Sequence, residues 1–318
     1  MLRAALAAVL LAAPVAASDI SLSLPVDCVP GETCHFQNYV DRDPGPGAAD
    51  YRCGGLSYDG HDGTDIALPT QARMLEGVNV LAAAPGVVAG MRDGEPDRLY
   101  SGDTAAEVAG RECGNGVLLR HADGWETQYC HMKQGSIAVG PGERVERGAV
   151  LGQVGLSGFT QFPHLHLSVR HDGQAVDPFD RDASEDCGPG DANLWATPPH
   201  YQSGGLLDAG FAVSIPTFAA IQAGTAAAEI TGEAPALVLF ALAFGLEQGD
   251  EMRLSIDGPK GNVIDNRGAM DKTQAQAFRA AGKKRPAGGW PAGRYTGTVT
   301  LMRDGATIGR MVRAFSVP

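Results

Sequence analysis

Residues 164–170 read HLHLSVR. Leu165, Leu167 and Val169 alternate with His164, His166 and Ser168. Successive side chains of a β-strand point to opposite faces, so the apolar three face a core and both histidines face away from it. Only 8 histidines occur in the chain, and two of them share the polar face of this one strand. Such a pair calls for partners from elsewhere.

Two other stretches supply them. GHDGTD, residues 60–65, holds two glycines and two aspartates, which disfavour a helix and favour a loop or strand edge. That loop can turn the His61 imidazole and the Asp65 carboxylate toward one point. TQYCHM, residues 127–132, places His131 at a strand end. Strict alternation puts His131 with Tyr129 and Thr127, and Cys130 with Met132. The expected metal set is His61, Asp65 and one of the paired histidines. Two imidazoles and a carboxylate suit zinc, and three protein ligands leave a fourth position for water, as a catalytic site requires. The other paired histidine and His131 then stand beside that water, since side chains at i and i+2 start roughly 6 to 7 Å apart. His35, His121, His171 and His200 fall outside this set and read as surface or loop residues. Tyr58 and Tyr51 are candidate donors to an oxyanion.

Working outward, short apolar runs cut by Gly, Pro and Asp fill residues 51 to 180, which favours a mainly β chain. The Asp-Gly pair in RHADGWE (120–126) signals a hairpin. Residues 92–112 are polar and read as a long loop. LWATPPHYQSGG, from 194, reads as a linker over 194–205. Residues 206–318 carry alternating strands with Asp-Gly turns expected at 257–258 and 304–305, and an immunoglobulin-like β-sandwich is expected there. MDKTQAQAFRAAGKK (270–284) reads as an inserted helix. No catalytic constellation occurs in this half, which reads as a binding or spacer module.

The chain opens MLRAALAAVLLAAPVAAS, with a positive Arg3, an apolar run and small residues before a cleavage point. Residues 1–17 are therefore expected to be a secretory signal peptide, leaving an exported protein. Residues 18–50 look irregular, and whether this segment, with Asn38 or Asp41, folds over a metal stays open. The apolar run at 235–246 is too short to span a bilayer. A net charge of −12 argues against nucleic acid as a partner. Six cysteines behind a signal peptide point to three disulfides in an oxidising compartment. The hairpin turn near Asp123-Gly124 brings the segment from Cys113 opposite Cys130, so that pair is expected to bridge. Cys28–Cys34 and Cys53–Cys187 follow by elimination.

The order HDGTD, CHM, PHLHLSVR resembles the M23 family of zinc metallopeptidases, the lysostaphin- or LytM-type peptidoglycan endopeptidases. The run VGPGERVERGAVLGQVGLSGFTQFPHLHLSVR (139–170) is similar to the family's Gly-Asp-x-Val, Gly-Gln and His-Leu-His stretch, and LAAAPGVVAG (81–90) resembles one of its strands. The resemblance covers roughly residues 51 to 180. It implies a LytM-type twisted antiparallel sheet with an open groove. It implies His61, Asp65 and His166 as zinc ligands, with His131 and His164 serving catalysis. Ser168 stands where family members often carry Glu, and Phe162-Pro163 replaces the more usual Gly-Pro; neither is a metal or catalytic position. The expected division is a peptidase domain over 51–193, the linker, and the sandwich over 206–318.

The resemblance implies one Zn²⁺ per chain and hydrolysis of peptide bonds in peptidoglycan. Export, acidic charge and the cysteine pattern favour a Gram-negative periplasm over an extracellular site, with a D-Ala–diaminopimelate crosslink as the expected target and a polyglycine bridge as the lesser alternative. The alternative is a non-catalytic wall-binding or amidase-activating regulator of the same fold. The oligomeric state is not legible.

Overall fold

A computed structural model describes residues 20–182 and 192–318. The expected signal peptide and Cys187 lie outside the described residues. The first half contains β1 (His35–Asn38), β2 (Thr64–Ala67), β3 (Asn79–Leu81), β4 (Gly86–Arg92), β5 (Asn115–Arg120), β6 (Trp125–Met132), β7 (Arg144–Val145), β8 (Val150–Gln153), β9 (His164–His171) and β10 (Gln174–Ala175). The main sheet runs β1-β2-β9-β6-β5-β4-β7, with β10 also on β9, and β3 pairs β8 separately. All of these pairings are antiparallel.

HLHLSVR is thus an interior strand, held between β2 and β6. Leu165, Leu167 and Val169 are buried on its core face, as their alternation requires. Each contributes roughly 1.5–3 kcal/mol by leaving water. Tyr129 pairs with Leu167 and shares that face. Its hydroxyl accepts from the Ala83 amide at 2.8 Å and from Thr127 Oγ1 at 3.0 Å. Asp123 and Gly124, with φ of 53° and 79°, form the turn between β5 and β6; two left-handed residues match the twist of a hairpin.

The second half contains β11 (Gly205–Ala212), β12 (Ala236–Leu246), β13 (Glu251–Gly258), β14 (Gly261–Ala269), β15 (Gln274–Lys284), β16 (Gly293–Arg303) and β17 (Ala306–Val317). Two antiparallel sheets, β11-β12-β15 and β14-β13-β16-β17, give the immunoglobulin-like connectivity. Tyr295, near the start of β16, donates its hydroxyl to the Pro291 carbonyl at 2.9 Å, the tyrosine corner of such folds. The helix expected at 270–284 is instead β15, paired along its length with β12 from Gln274↔Leu246 to Lys284↔Ala236. Pairing to an open strand edge overrides local helix propensity. The Asp304-Gly305 turn forms as expected, whereas Asp257 and Gly258 end β13 and Pro259-Lys260 make the turn.

β12 is buried on both faces. Leu237, Leu239, Ala241 and Ala243 join the sandwich core. Val238, Phe240, Leu242 and Phe244 join a second core that also holds Phe36, Leu56, Leu165 and Leu167. The two halves therefore share one apolar interior across β12. His35, expected at the surface, is buried there, its ring 4.4 Å from that of Phe244. Burial pushes its pKa down to about 4, so it sits in this core as a neutral ring.

The stretch expected to be a linker packs on the first half. Leu194 and Trp195 are buried, and Tyr201 donates to Asp50 Oδ2 at 2.8 Å. The segment before residue 51 is largely irregular but supplies β1 to the sheet. The loop at 92–112 carries a 3-10 turn at Gly102–Thr104 and a short helix at Ala105–Val108. Disulfides join Cys28 to Cys34 and Cys113 to Cys130, as expected. Cys53 is also disulfide-bonded. No helix among the described residues is long and apolar enough to cross a membrane.

Candidate metal centre

The register of β9 builds the site. Asp65 lies directly across from His166, and Ala67 across from His164, so Asp65 and both histidines share the polar face. His61 enters from the loop before β2, its amide bonded to the Tyr58 carbonyl at 3.0 Å. Gly63 in that loop is required by close approach. A Cβ there would meet His166 Nε2 at 2.5 Å and the Leu167 carbonyl oxygen at 2.9 Å.

Three ligand atoms converge. His166 Nδ1 lies 2.9 Å from Asp65 Oδ1, and His61 Nε2 lies 3.2 Å from each of them. Their other atoms are already committed. His61 Nδ1 donates to the Tyr39 carbonyl at 2.7 Å, which leaves Nε2 turned toward the other two atoms. His166 Nε2 lies 3.1 Å from Ser168 Oγ and 3.4 Å from Asp62 Oδ1. Donation there leaves Nδ1 facing inward. Asn38 Nδ2 donates to Asp65 Oδ2 at 2.8 Å, turning Oδ1 inward. Two lone pairs and a carboxylate oxygen aimed at one point repel one another unless a cation lies between them, so this donor set fits a metal ion. His61, Asp65 and His166 are the three residues so grouped among the described ones.

Electrostatics tell the same story. Burial works against the Asp65 charge, yet the His164 and His61 rings hold its carboxyl well below the usual range. Burial also opposes charge on His166, but its hydrogen bonds to Asp62 and Asp65 outweigh that and push its pKa up to about 9.

His164 and His131 border the triad. The His164 Nδ1 atom lies 2.9 Å from the Phe162 carbonyl oxygen, and its Nε2 faces Asp65 Oδ1 at 3.5 Å. His131 Nδ1 donates to the Ser157 carbonyl at 2.8 Å, so Nε2 carries the lone pair. Burial, then the His164 and His166 rings, hold the His131 pKa well below its ordinary value, leaving a neutral base. The His131 ring centroid is 4.6 Å from that of His164.

Alternation did not foresee how His131 arrives. Cys130 pairs with His166, so a regular strand would send His131 to the core side with Tyr129. Its φ of 61° breaks the alternation and swings the ring to the polar face. A left-handed conformation is costly for a side chain of this size and persists where the surroundings impose it. Here the His131 amide bonds the Cys113 carbonyl at 2.8 Å, beside the Cys113–Cys130 disulfide.

All five expected residues meet at one place. Tyr51 does not; it is buried among Tyr39, Phe179 and Tyr201. Tyr58 does, its ring centroid 4.5 Å from that of His61 and half of it exposed. Asn38 orients Asp65 rather than covering a metal, and Asp41 caps the amides of Asp43, Ala49 and Gly60. Sequence reasoning missed the Tyr39, Ser157 and Phe162 carbonyls, which any residue type could provide.

The model of Peptidase family M23 matches residues 59–178. The "DD-carboxypeptidase/endopeptidase Mpg" of Neisseria meningitidis serogroup B is 36% identical over 118 residues, 37% of this chain and 22% of that protein. The "Peptidoglycan DD-endopeptidase ShyA" of Vibrio cholerae is 30% identical over 116 residues, 36% of this chain and 21% of that protein. The chain thus spans about a fifth of the length of these curated relatives. Among solved structures, the catalytic domain of the prophage-encoded M23 protein EnpA from Enterococcus faecalis, in mutant form, is 26% identical. It covers 47% of this chain and 92% of that one, with a TM-score of 0.31.

Proposed function

We propose, from the premise that residues 59–178 form a peptidase family M23 domain, that this protein is an exported zinc endopeptidase cutting peptide bonds in peptidoglycan. The D-Ala–diaminopimelate crosslink is the assigned target, and the periplasm, where disulfides form, the assigned compartment. The convergence of His61 Nε2, Asp65 Oδ1 and His166 Nδ1, with two further imidazoles beside them, carries this reading. One Zn²⁺ per chain is assigned to those three atoms. When bound, zinc lowers the pKa of a coordinated water toward 7 and polarises a carbonyl oxygen.

The chain's own residues supply the rest. Neutral His131 presents Nε2 to the groove as a proton acceptor, its Nδ1–H anchored on the Ser157 carbonyl. His164, held at Nδ1 by the Phe162 carbonyl, presents Nε2 on the same side. The two rings can take a proton from an attacking water, donate to the developing oxyanion and return the proton to the leaving amine. Tyr58 stands at the rim as a further donor. A wall-binding regulator has no use for two free imidazoles beside a ligand triad. Catalysis is assigned to residues 51–193, with 206–318 as a supporting module.

Mass analysis of muropeptides released from purified peptidoglycan tests this. Stem-peptide crosslinks should be cut, a chelator should stop cutting, and zinc should restore it. Zinc-loaded protein that releases nothing sinks the proposal.

A further inference from the structure

The polar face of β9 continues past His166 through Ser168 to Arg170. Beside it lies a groove of about 400 Å³ whose walls include Tyr58, Asp62, Glu112, Gln128 and Phe159. Among the described residues, Arg170 is the one lining it with a fixed positive charge. Its Nη1 donates to Gln128 Oε1 at 2.8 Å, which orients the guanidinium. Its Nη2 lies 3.6 Å from Asp62 Oδ2, an ion pair too long for a hydrogen bond. The cross-strand neighbour Glu126 is engaged elsewhere, by Arg120 at 2.9 Å. A guanidinium has five N–H donors in a planar fork, so this one has an edge to spare. The side chain is 24% exposed, enough for a ligand to reach it.

We infer that Arg170 is a substrate anchor that takes a free carboxylate on the peptide. A fork of paired N–H groups matches a carboxylate with two parallel hydrogen bonds, whereas a neutral amide or hydroxyl offers one acceptor oxygen and no charge. Asp62 is the carboxylate a substrate would displace. Asp62 bridges the guanidinium and the His166 ring, through contacts of 3.6 and 3.4 Å. The anchored carboxylate therefore belongs to a residue at or next to the scissile bond. Two sources share that chemistry: the side-chain carboxylate of a diamino acid such as diaminopimelate, and the C-terminal carboxylate of the stem. The inference rests on the peptidase reading and names the substrate group that the same groove selects.

The test uses the full zinc-loaded protein and three synthetic crosslinked stem peptides: unmodified, amidated at the diamino acid carboxylate, and amidated at the C-terminus. Wild type should lose about 10- to 100-fold in kcat/KM on one of the two amides, the scale of a hydrogen-bonded charge. That amide identifies the source. Arg170→Gln should lose the same factor on the unmodified peptide, mainly through KM, and should no longer distinguish it from that amide. Arg170→Lys should recover part of the loss, as a charge without the fork. A purely structural role for Arg170 predicts equal losses on all three peptides, and that outcome overturns the anchor. So does a wild type indifferent to both amidations. Zinc-loaded wild type that cuts none of the three overturns the peptidase reading itself.

Discussion

His164 and His166 are separated by one leucine and present different nitrogens. His166 turns Nδ1 toward Asp65 and His61, while His164 turns Nε2, because the backbone carbonyl of Phe162 holds its Nδ1. Their alanine variants should therefore fail differently. His166→Ala, His61→Ala and Asp65→Ala should lose bound zinc and activity together. His164→Ala and His131→Ala should keep about one zinc per chain while turnover falls about 10²–10⁴-fold. Elemental analysis beside muropeptide release checks this; zinc lost from His164→Ala but kept in His166→Ala would exchange the two roles. A second residue-scale expectation concerns Asp177, away from the metal set. Burial pushes its carboxyl up to about 7, and its Oδ2 has no hydrogen-bond partner. Because the folded pKa lies above the ordinary 3.8, the folded state binds the extra proton, and stability falls as pH rises from about 4 through about 7. Asp177→Asn should be more stable than wild type at pH 8, by about 2–4 kcal/mol, and little different at pH 4. Equal denaturation midpoints at pH 8 would contradict this.

At the scale of elements, two strands carry the fold, and both were expected as strands from the sequence. β9 alternates cleanly because one face meets the core and the other the groove. β12 reads as an unbroken apolar run, ALVLFALAFGL, because both faces are covered. A strand buried on both sides has no polar alternation to betray it. From 237 to 244 its odd residues Leu237, Leu239, Ala241 and Ala243 face the sandwich, and its even residues face the core shared with the first half. Phe244→Ala should therefore cost about 3–5 kcal/mol, as for other buried phenylalanines. It should also loosen His35, whose ring it touches. Thermal unfolding should still show a single transition at a lower midpoint. An unchanged midpoint would mean that the shared core contributes nothing at that contact. β15 was expected as a helix instead: its alanines and lysines suit one, and only the open edge of β12 makes it a strand.

At the scale of the molecule, the two halves are joined by more than a tether. Leu194 and Trp195 bury the connecting segment, Tyr201 ties it to Asp50, and β12 closes the interior. The expectation of an exposed linker came from its proline, glycine and serine content, which reports local flexibility and says nothing of what the segment packs against. By itself the sequence determined the candidate site residues and the strands that frame them. Period-two alternation placed Leu165, Leu167 and Val169 inward and the histidines outward. The HxxxD and HxH spacings nominated His61, Asp65, His164 and His166, and an Asp-Gly turn brought Cys113 opposite Cys130. These are local rules, set by strand geometry and turn sterics. Tertiary structure alone decided which nitrogen each imidazole presents, since backbone carbonyls from distant loops hold the other. It decided that His131 leaves the core side through a positive φ, and that Asn38 turns Asp65. It decided that Arg170 reaches back toward the metal set, and that one apolar strand serves two cores. Each of those depends on atoms brought together from far along the chain, and no local pattern of side chains encodes such a meeting.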